Sequence, residues 1–221
     1  MSLGRRTLMQ SAIATALIGW TTAAKAEYTE IAPGLYDIGI RNLPLATARQ
    51  HCEQWCWAAS IETIFAAWGV DAPQESFVDY YVGRNYDGSL VCSPASDDLM
   101  LSAINSTIRL PNGAEYRGVY FVAKGDSTYP TNYLWWDVMV TELSNGRPLL
   151  AAYKTGPNTG HAVVVTHIRV QYYPLPTGRR PDLIALTVRD PWPGSPNKRL
   201  LSLEEVLNLR FIAAVAVKKV G

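Results

Sequence analysis

Histidine and cysteine are scarce in this chain of 221 residues, three of each, and neither sign of charge dominates, with 20 Lys and Arg against 19 Asp and Glu. The scarcity excludes a structural zinc centre, because no Cys or His pair stands at ligand spacing, and nothing else implies a cofactor. The charge balance excludes nucleic acid as partner, since there is no basic face or charge run to follow a phosphate backbone. Also missing is an unbroken apolar run long enough to cross a bilayer: Leu8 to Trp20 is interrupted by Thr15 and Gly19 and followed by Thr21-Thr22. There is no internal repeat and no low-complexity tract. What is present, seven Trp and twelve Tyr in a chain with 48% hydrophobic residues, describes a globular protein.

The first stretch reads as a targeting segment. Arg5-Arg6 precedes the apolar run, and Ala24-Lys25-Ala26 forms a small-x-small cleavage signal, so residues 1–26 are expected to be an export signal. The paired arginines in Gly4-Arg5-Arg6-Thr7-Leu8-Met9 also resemble the twin-arginine form. The expected location is therefore periplasmic or secreted, with no membrane anchor once the signal is removed. Without Arg5, Arg6 and Lys25, the 20 basic residues fall to 17 against 19 acids. Residues 27–221 are enough for one domain with a substantial core.

In an oxidising compartment two of the cysteines at 52, 56 and 92 are expected to pair, leaving one reactive. Cys56 opens a helical pattern, Trp57, Ile61, Ile64, Phe65 and Trp68, that Gly69 stops. A helix N-terminus carries partial positive charge, which favours a thiolate there. Cys56 is thus the residue poised for chemistry, and Cys52–Cys92 is the expected bridge.

Elsewhere the pattern predicts helices over Gln74–Val82, Pro94–Ile104 and Asn132–Leu143, and a short one at Ser202–Leu207 capped by Ser202. Residues 27–50 read as a turn-rich arm holding one short strand, Leu35–Ile40. Strands are expected at Tyr116–Val122, Pro148–Tyr153, His161–Val170, Leu183–Val188 and Phe211–Val217, with Pro174, Pro176, Gly178 and Pro181 in a loop between two of them. A helical part (about 50–110) followed by an antiparallel β-rich part (about 114–221) is an α+β domain.

A nucleophilic thiol needs a base, and the choice is among His51, His161 and His167. Thr159-Gly160-His161-Ala162-Val163-Val164-Val165 places His161 at the mouth of a buried strand, facing a cleft. Strand alternation puts His167 on the same face but about 20 Å away, and His51 reads as a surface or supporting group. The imidazole in turn needs an orienting partner. Asp190 ends a strand on the face of Ile184, Leu186 and Val188, and a carboxylate facing a core must be paired. Trp192, two residues on, is placed to shield that pair. Gln50, six residues before Cys56, can donate to an oxyanion, with Gln54 as the nearer rival.

Gln50-x5-Cys56-Trp57, then Gly160-His161, then Asp190-Pro191-Trp192, resembles the papain-like cysteine peptidase superfamily. The Trp55-Cys56-Trp57-Ala58-Ala59 and Arg189-Asp190-Pro191-Trp192 forms are closer to its bacterial avirulence-effector-type and bacteriocin-leader-processing branches. The resemblance implies a papain-like fold, with Cys56 as nucleophile, His161 as base and acid, Asp190 orienting it and Gln50 in the oxyanion hole. It also favours the Cys52–Cys92 bridge, although Cys52 lies four residues before the nucleophile, where papain has three. The longer His161-to-Asp190 interval fits an extended hairpin around Tyr172–Pro181. The function implied is an exported peptidase acting on proteins or peptides. A thiol amidase or acyltransferase on peptidoglycan peptides, and a non-catalytic binding module, stand as alternatives. Oligomeric state has no signature in the sequence.

Overall fold

Long runs of Val, Ile, Leu and Ala, without polar alternation, make strands that need cover on both faces. In the computed structural model, which describes residues 26–40, 43, 48–110, 112–124, 134–175 and 178–220, those runs form a nine-stranded antiparallel sheet. The expected export signal, except Ala26, lies outside the described residues, as do Asn132 and Pro176.

In chain order the elements are β1 (Ala26–Ala32), β2 (Leu35–Ile40), α1 (Cys56–Ala67), α2 (Gln74–Tyr81), α3 (Asp97–Asn105), β3 (Thr107–Arg109), β4 (Glu115–Lys124), α4 (Leu134–Ser144), β5 (Leu149–Lys154), β6 (Gly160–Leu175), β7 (Gly178–Arg189), β8 (Lys198–Leu200), α5 (Leu203–Leu207) and β9 (Leu209–Val220). Strand order is β1-β2-β6-β5-β9-β4-β3, with β7 on β6 and β8 on β7. One face of the sheet packs against α1, α2 and α3 through Leu150, Ala152, Val164, Ala213 and Val215. The other packs against α4, whose Trp135, Met139 and Leu143 meet Ala151, Val163, Val165 and Ile212.

The mixed helix-and-sheet class is as expected, but several details differ. The N-terminal arm holds two strands, because Gly34 (φ +73°) makes the turn of a β1–β2 hairpin that joins the main sheet. Strand therefore precedes helix in the chain. The α3 helix begins at Asp97, not Pro94, because the Ser96 side chain accepts from the Leu99 N–H and sets the start. Pro174 and Pro181 do not form a loop; β6 and β7 run on through them as one long hairpin.

Bulges explain the remaining differences. Thr166 is an extra residue in β6 opposite β7, between the Val165–Val188 and His167–Thr187 pairs. It reverses the phase of the strand, so Val163, Val165, Ile168 and Val170 share a face and His167 leaves the face of His161. The expected common face for the two histidines is thereby overturned. Ile184 is the extra residue in β7, between Leu183 and Ala185, and it is exposed rather than on the core face with Leu186 and Val188.

The two neighbours on one edge of β6 meet at the first bulge: β5 pairs with residues up to Val165, and β2 with residues from His167 onward. Gly39 lies opposite His167, where a Cβ would sit 2.3 Å from the His167 ring and 2.7 Å from the Thr166 carbonyl. Gly39→Ala is expected to destabilise the protein by about 1–3 kcal/mol through this overpacking. A urea titration checks it: an unchanged midpoint would show that the ring moves aside freely.

Candidate active site

The site is built on a loop that is pinned before the helix begins. Fully buried Gln74 accepts from the His51 N–H at 3.0 Å and donates to the Arg49 carbonyl at 2.9 Å. The Ala48 N–H donates to the Thr63 hydroxyl of α1. Cys52 and Cys92 form a disulfide with a Cα–Cα distance of 5.9 Å across 40 residues. In the chain-entropy account such a loop closure is worth roughly 3–4 kcal/mol. Cys56 remains free.

Cys56 is the first residue of α1. No side chain caps that end, and no acid stands in its first turn. The first N–H groups of a helix have no intrahelical partner, so α1 presents open donors and its positive end beside the thiol. Nine of its twelve residues are buried, Trp57, Ile61, Ile64 and Phe65 among them, so the core fixes the position of Cys56. The Trp57 indole donates to the Ser93 carbonyl at 3.2 Å.

His161 begins β6 opposite Tyr153 of β5, and the two rings meet edge to face with centroids 5.7 Å apart. Its Nε2 is 2.8 Å from Asp190 Oδ1. The Cys56 thiol stands beside the same imidazole and interacts with it, and both line one cavity. Burial pulls the His161 pKa down, but the bonds to Asp190 and Cys56 outweigh it and carry it up to about 9. Asp190 is 1% exposed. Burial raises its pKa, yet His161, the Trp192 N–H at 2.9 Å and Arg199 lower it to about 2. At neutral pH the pair is imidazolium and carboxylate.

Behind Asp190 stands a group of residues that sequence patterns did not single out. Arg199 Nε donates to Asp190 Oδ2 at 2.7 Å, and the guanidinium also engages Glu205 and the Tyr153 hydroxyl. Burial and the Glu205 carboxylate push the Tyr153 phenol up, while burial raises and Arg199 lowers Glu205, to about 2 overall. Arg49 ties down the turn after Asp190, donating to the carbonyls of Asp190, Trp192 and Ser195.

A cavity of about 780 Å³ lies over Cys56 and His161, with Gln54, Pro94, Met100, Trp192 and Arg210 among its walls. Arg210, an extra residue in β9, reaches Asp97 of α3 at 2.7 Å and so links the helical and sheet walls. Trp192 lines this cavity and stays partly exposed, and its backbone N–H bonds Asp190 directly. Gln50 is buried and does not line the cavity. Its amide donates to the Cys52 and Glu53 carbonyls at 3.1 and 2.9 Å, so it reaches an oxyanion only by releasing one of them. His51 is outside, exposed and paired with Glu75, and His167 is on another face of the sheet. Among the described residues no cluster of His, Cys, Asp and Glu is placed to hold a metal, and no helix is long and apolar enough to cross a membrane.

Residues 42–214, the stretch that carries Cys56, His161 and Asp190, match the family described as the Peptidase_C39 like family. The chain belongs to that family. Among curated proteins none matches it. Membership in the Peptidase_C39-like family brings a papain-like fold, cysteine-type peptidase chemistry and peptide or protein substrates. The nine-stranded sheet with five helices is its form here.

The raised pKa of His161 makes a statement about stability. A group whose pKa rises on folding stabilises fully below its unfolded value, about 6.5, and loses that contribution as pH rises through its folded value, about 9. Between those limits the unfolding free energy is expected to fall relative to His161→Ala by on the order of 3 kcal/mol. Parallel denaturant titrations of the two proteins from pH 6 to 10 read this, and a constant difference would refute it.

Proposed function

We propose that the chain is an exported cysteine peptidase whose catalytic unit spans residues 27–221, with Cys56 as nucleophile, His161 as base and acid, and Asp190 as the orienting acid. The observation that carries the reading is the single imidazole bonded to Asp190 and standing beside Cys56, at an uncapped helix N-terminus inside a cavity. The Cys52–Cys92 bridge is compatible with an oxidising location. The residues flanking Cys56 and Asp190 favour the bacterial avirulence-effector-type and leader-processing branches of the papain-like superfamily.

Cys56 sulfur attacks the carbonyl carbon of the substrate while its proton resides on His161. The carbonyl π-electrons move to oxygen, and the resulting oxyanion faces the free N–H groups at the start of α1. Gln50 turns one amide hydrogen from the loop carbonyls toward the same oxygen. Collapse of the tetrahedral adduct breaks the C–N bond, and His161 hands its proton to the leaving amine. Water then attacks the thioester, with His161 taking one proton, and the acid product leaves Cys56 as it began. Asp190 holds the imidazole in one orientation throughout.

Cys56→Ala is expected to lower hydrolysis of fluorescent casein by about 10⁴-fold or more and to abolish labelling by a thiol-directed peptidase inhibitor. Residual labelling or full hydrolysis would sink the assignment. Digestion of muropeptides in place of casein, lost in the same variant, would move the substrate to peptidoglycan peptides. A folded protein whose Cys56 does not react at neutral pH would instead be a binding module. Gln50→Ala is expected to lower kcat more than Gln54→Ala, and the reverse order would transfer the oxyanion role to Gln54.

A further inference from the structure

Arg199 lines the catalytic cavity yet has nothing left to offer a substrate. A guanidinium has five N–H donors in a rigid plane, and here five acceptors meet them. Nε donates to Asp190 Oδ2 at 2.7 Å, Nη1 to the Leu200 carbonyl at 3.1 Å and Glu205 Oε2 at 2.9 Å, and Nη2 to Glu205 Oε1 at 2.7 Å and Tyr153 OH at 2.9 Å. The Glu205 carboxylate stands beside the same phenol and raises its pKa, after burial. The guanidinium is wholly given to the back of the site.

Glu205 is held with equal care. Its carboxylate accepts from the Ser202 N–H at 2.7 Å, and its own N–H donates to the Ser202 hydroxyl at 3.1 Å, the capping box of α5. This helix buries none of its five residues. Packing reaches α5 through half-buried Val206, which leans on the sheet core. The Arg199–Glu205 ion pair ties the helix to the back of the site.

We propose that Arg199, clamped by Glu205 and Tyr153, is a positioning residue that locks the Asp190 carboxylate against His161, and that the Arg199–Glu205 pair balances the charge felt by the Cys56–His161 couple. The inference rests on the roles given to Cys56 and His161 above. Oδ1 of Asp190 already serves His161 and the Trp192 N–H. Among the described residues only Arg199 Nε holds Oδ2, and without it the carboxylate is free to turn about its last torsion. A half-buried cation behind Asp190 also opposes the imidazolium, and the Glu205 carboxylate offsets that opposition. The charged and titratable groups around His161 are Cys56 from α1, Asp190 at the end of β7, Tyr153 from β5, Arg199 from β8 and Glu205 from α5, with Glu53, Asp97 and Arg210 on the more distant cavity walls.

The two charges make opposite demands on His161, and that separates positioning from packing. In Arg199→Gln the imidazolium loses an opposing cation and should hold its proton to higher pH. In Glu205→Gln the cation is no longer balanced, and the proton should leave at lower pH. Arg199→Lys keeps the charge but supplies a point donor that cannot span four partners. It should leave the titration near the native position while kcat falls.

The experiment is the rate of Cys56 alkylation by iodoacetamide against pH in the full chain, with kcat and KM on fluorescent casein beside it. The native protein should show an inflection near pH 9, where His161 deprotonates. Opposite displacements in Arg199→Gln and Glu205→Gln, with kcat reduced roughly ten- to a hundredfold and KM little changed, establish the role. Displacements of one sign, or none, in variants with native thermal unfolding overturn it. Should Arg199→Gln fail to fold, Glu205→Gln and Arg199→Lys still decide, through the downward and the null displacement. An inflection that persists in His161→Ala overturns the proposed function and this inference with it. One that vanishes in His161→Ala but is unmoved by the Arg199 and Glu205 changes overturns the inference alone.

Discussion

A carboxylate taken almost wholly out of water must be surrounded by donors, and the Asp190 carboxylate is the point on which the site depends. Its 1% exposure is tolerable only because an imidazole, a backbone N–H and a guanidinium converge on its two oxygens. Each partner comes from a different part of the chain. The imidazole begins β6, the backbone donor belongs to the turn after β7, and the guanidinium stands on β8, which pairs with β7. Asp190 thereby acts as the junction that brings the sheet edge, the Pro191–Ser195 turn and α5 into one arrangement. Cys56 enters from the other side, carried on a helix whose position is set by its core contacts.

The sheet makes this convergence possible because helices cover both of its faces. A strand buried on two sides has no solvated face along which to slip, so its register is firmly specified. Bulges then supply what a regular ladder cannot. Thr166 turns His167 away from the face of His161, Ile184 restores the phase of β7 before it reaches Asp190, and Arg210 is thrust from β9 toward α3. The Thr166 bulge marks where β6 changes partners, and the Arg210 bulge where β9 approaches the site.

What could be read from the sequence follows from how local each feature is. Cys56 at the head of an apolar helix, His161 after a glycine at the mouth of an apolar run, and Asp190 before Pro-Trp-Pro are all patterns a few residues long. The Ser202 cap, with Glu205 three residues on, is equally local. The bulges were not legible, because an extra residue is defined only against its partner strand, and strict alternation put His167 and Ile184 on the wrong faces. Arg199 was missed because its strand has only three residues and a half-exposed pattern that reads as loop. Gln74 was missed because a glutamine at the start of a helix looks ordinary until it is found fully buried between Arg49, His51 and Glu62.

The shared edge of β6 also bears on how the molecule comes apart. Beyond Thr166 the strand has two neighbours, β7 and β2, and β2 carries β1 with it. Contacts between β6 and β7 are local in sequence, whereas those between β6 and β2 span more than a hundred residues, from Leu35–Gly39 to His167–Gln171. The entropy of closing that span is met by a five-residue ladder and by Ile38 and Ile40, buried in the core beside α4. Departure of the N-terminal hairpin would expose Ile38 and Ile40 and bare the His167–Gln171 edge for pairing with another chain. The catalytic end of the same strand, paired with β5 and buried between two helical layers, would keep its partners. One strand therefore joins a part whose neighbour comes from the start of the chain to a part whose neighbour is close in sequence, with the Thr166 bulge as the boundary between them.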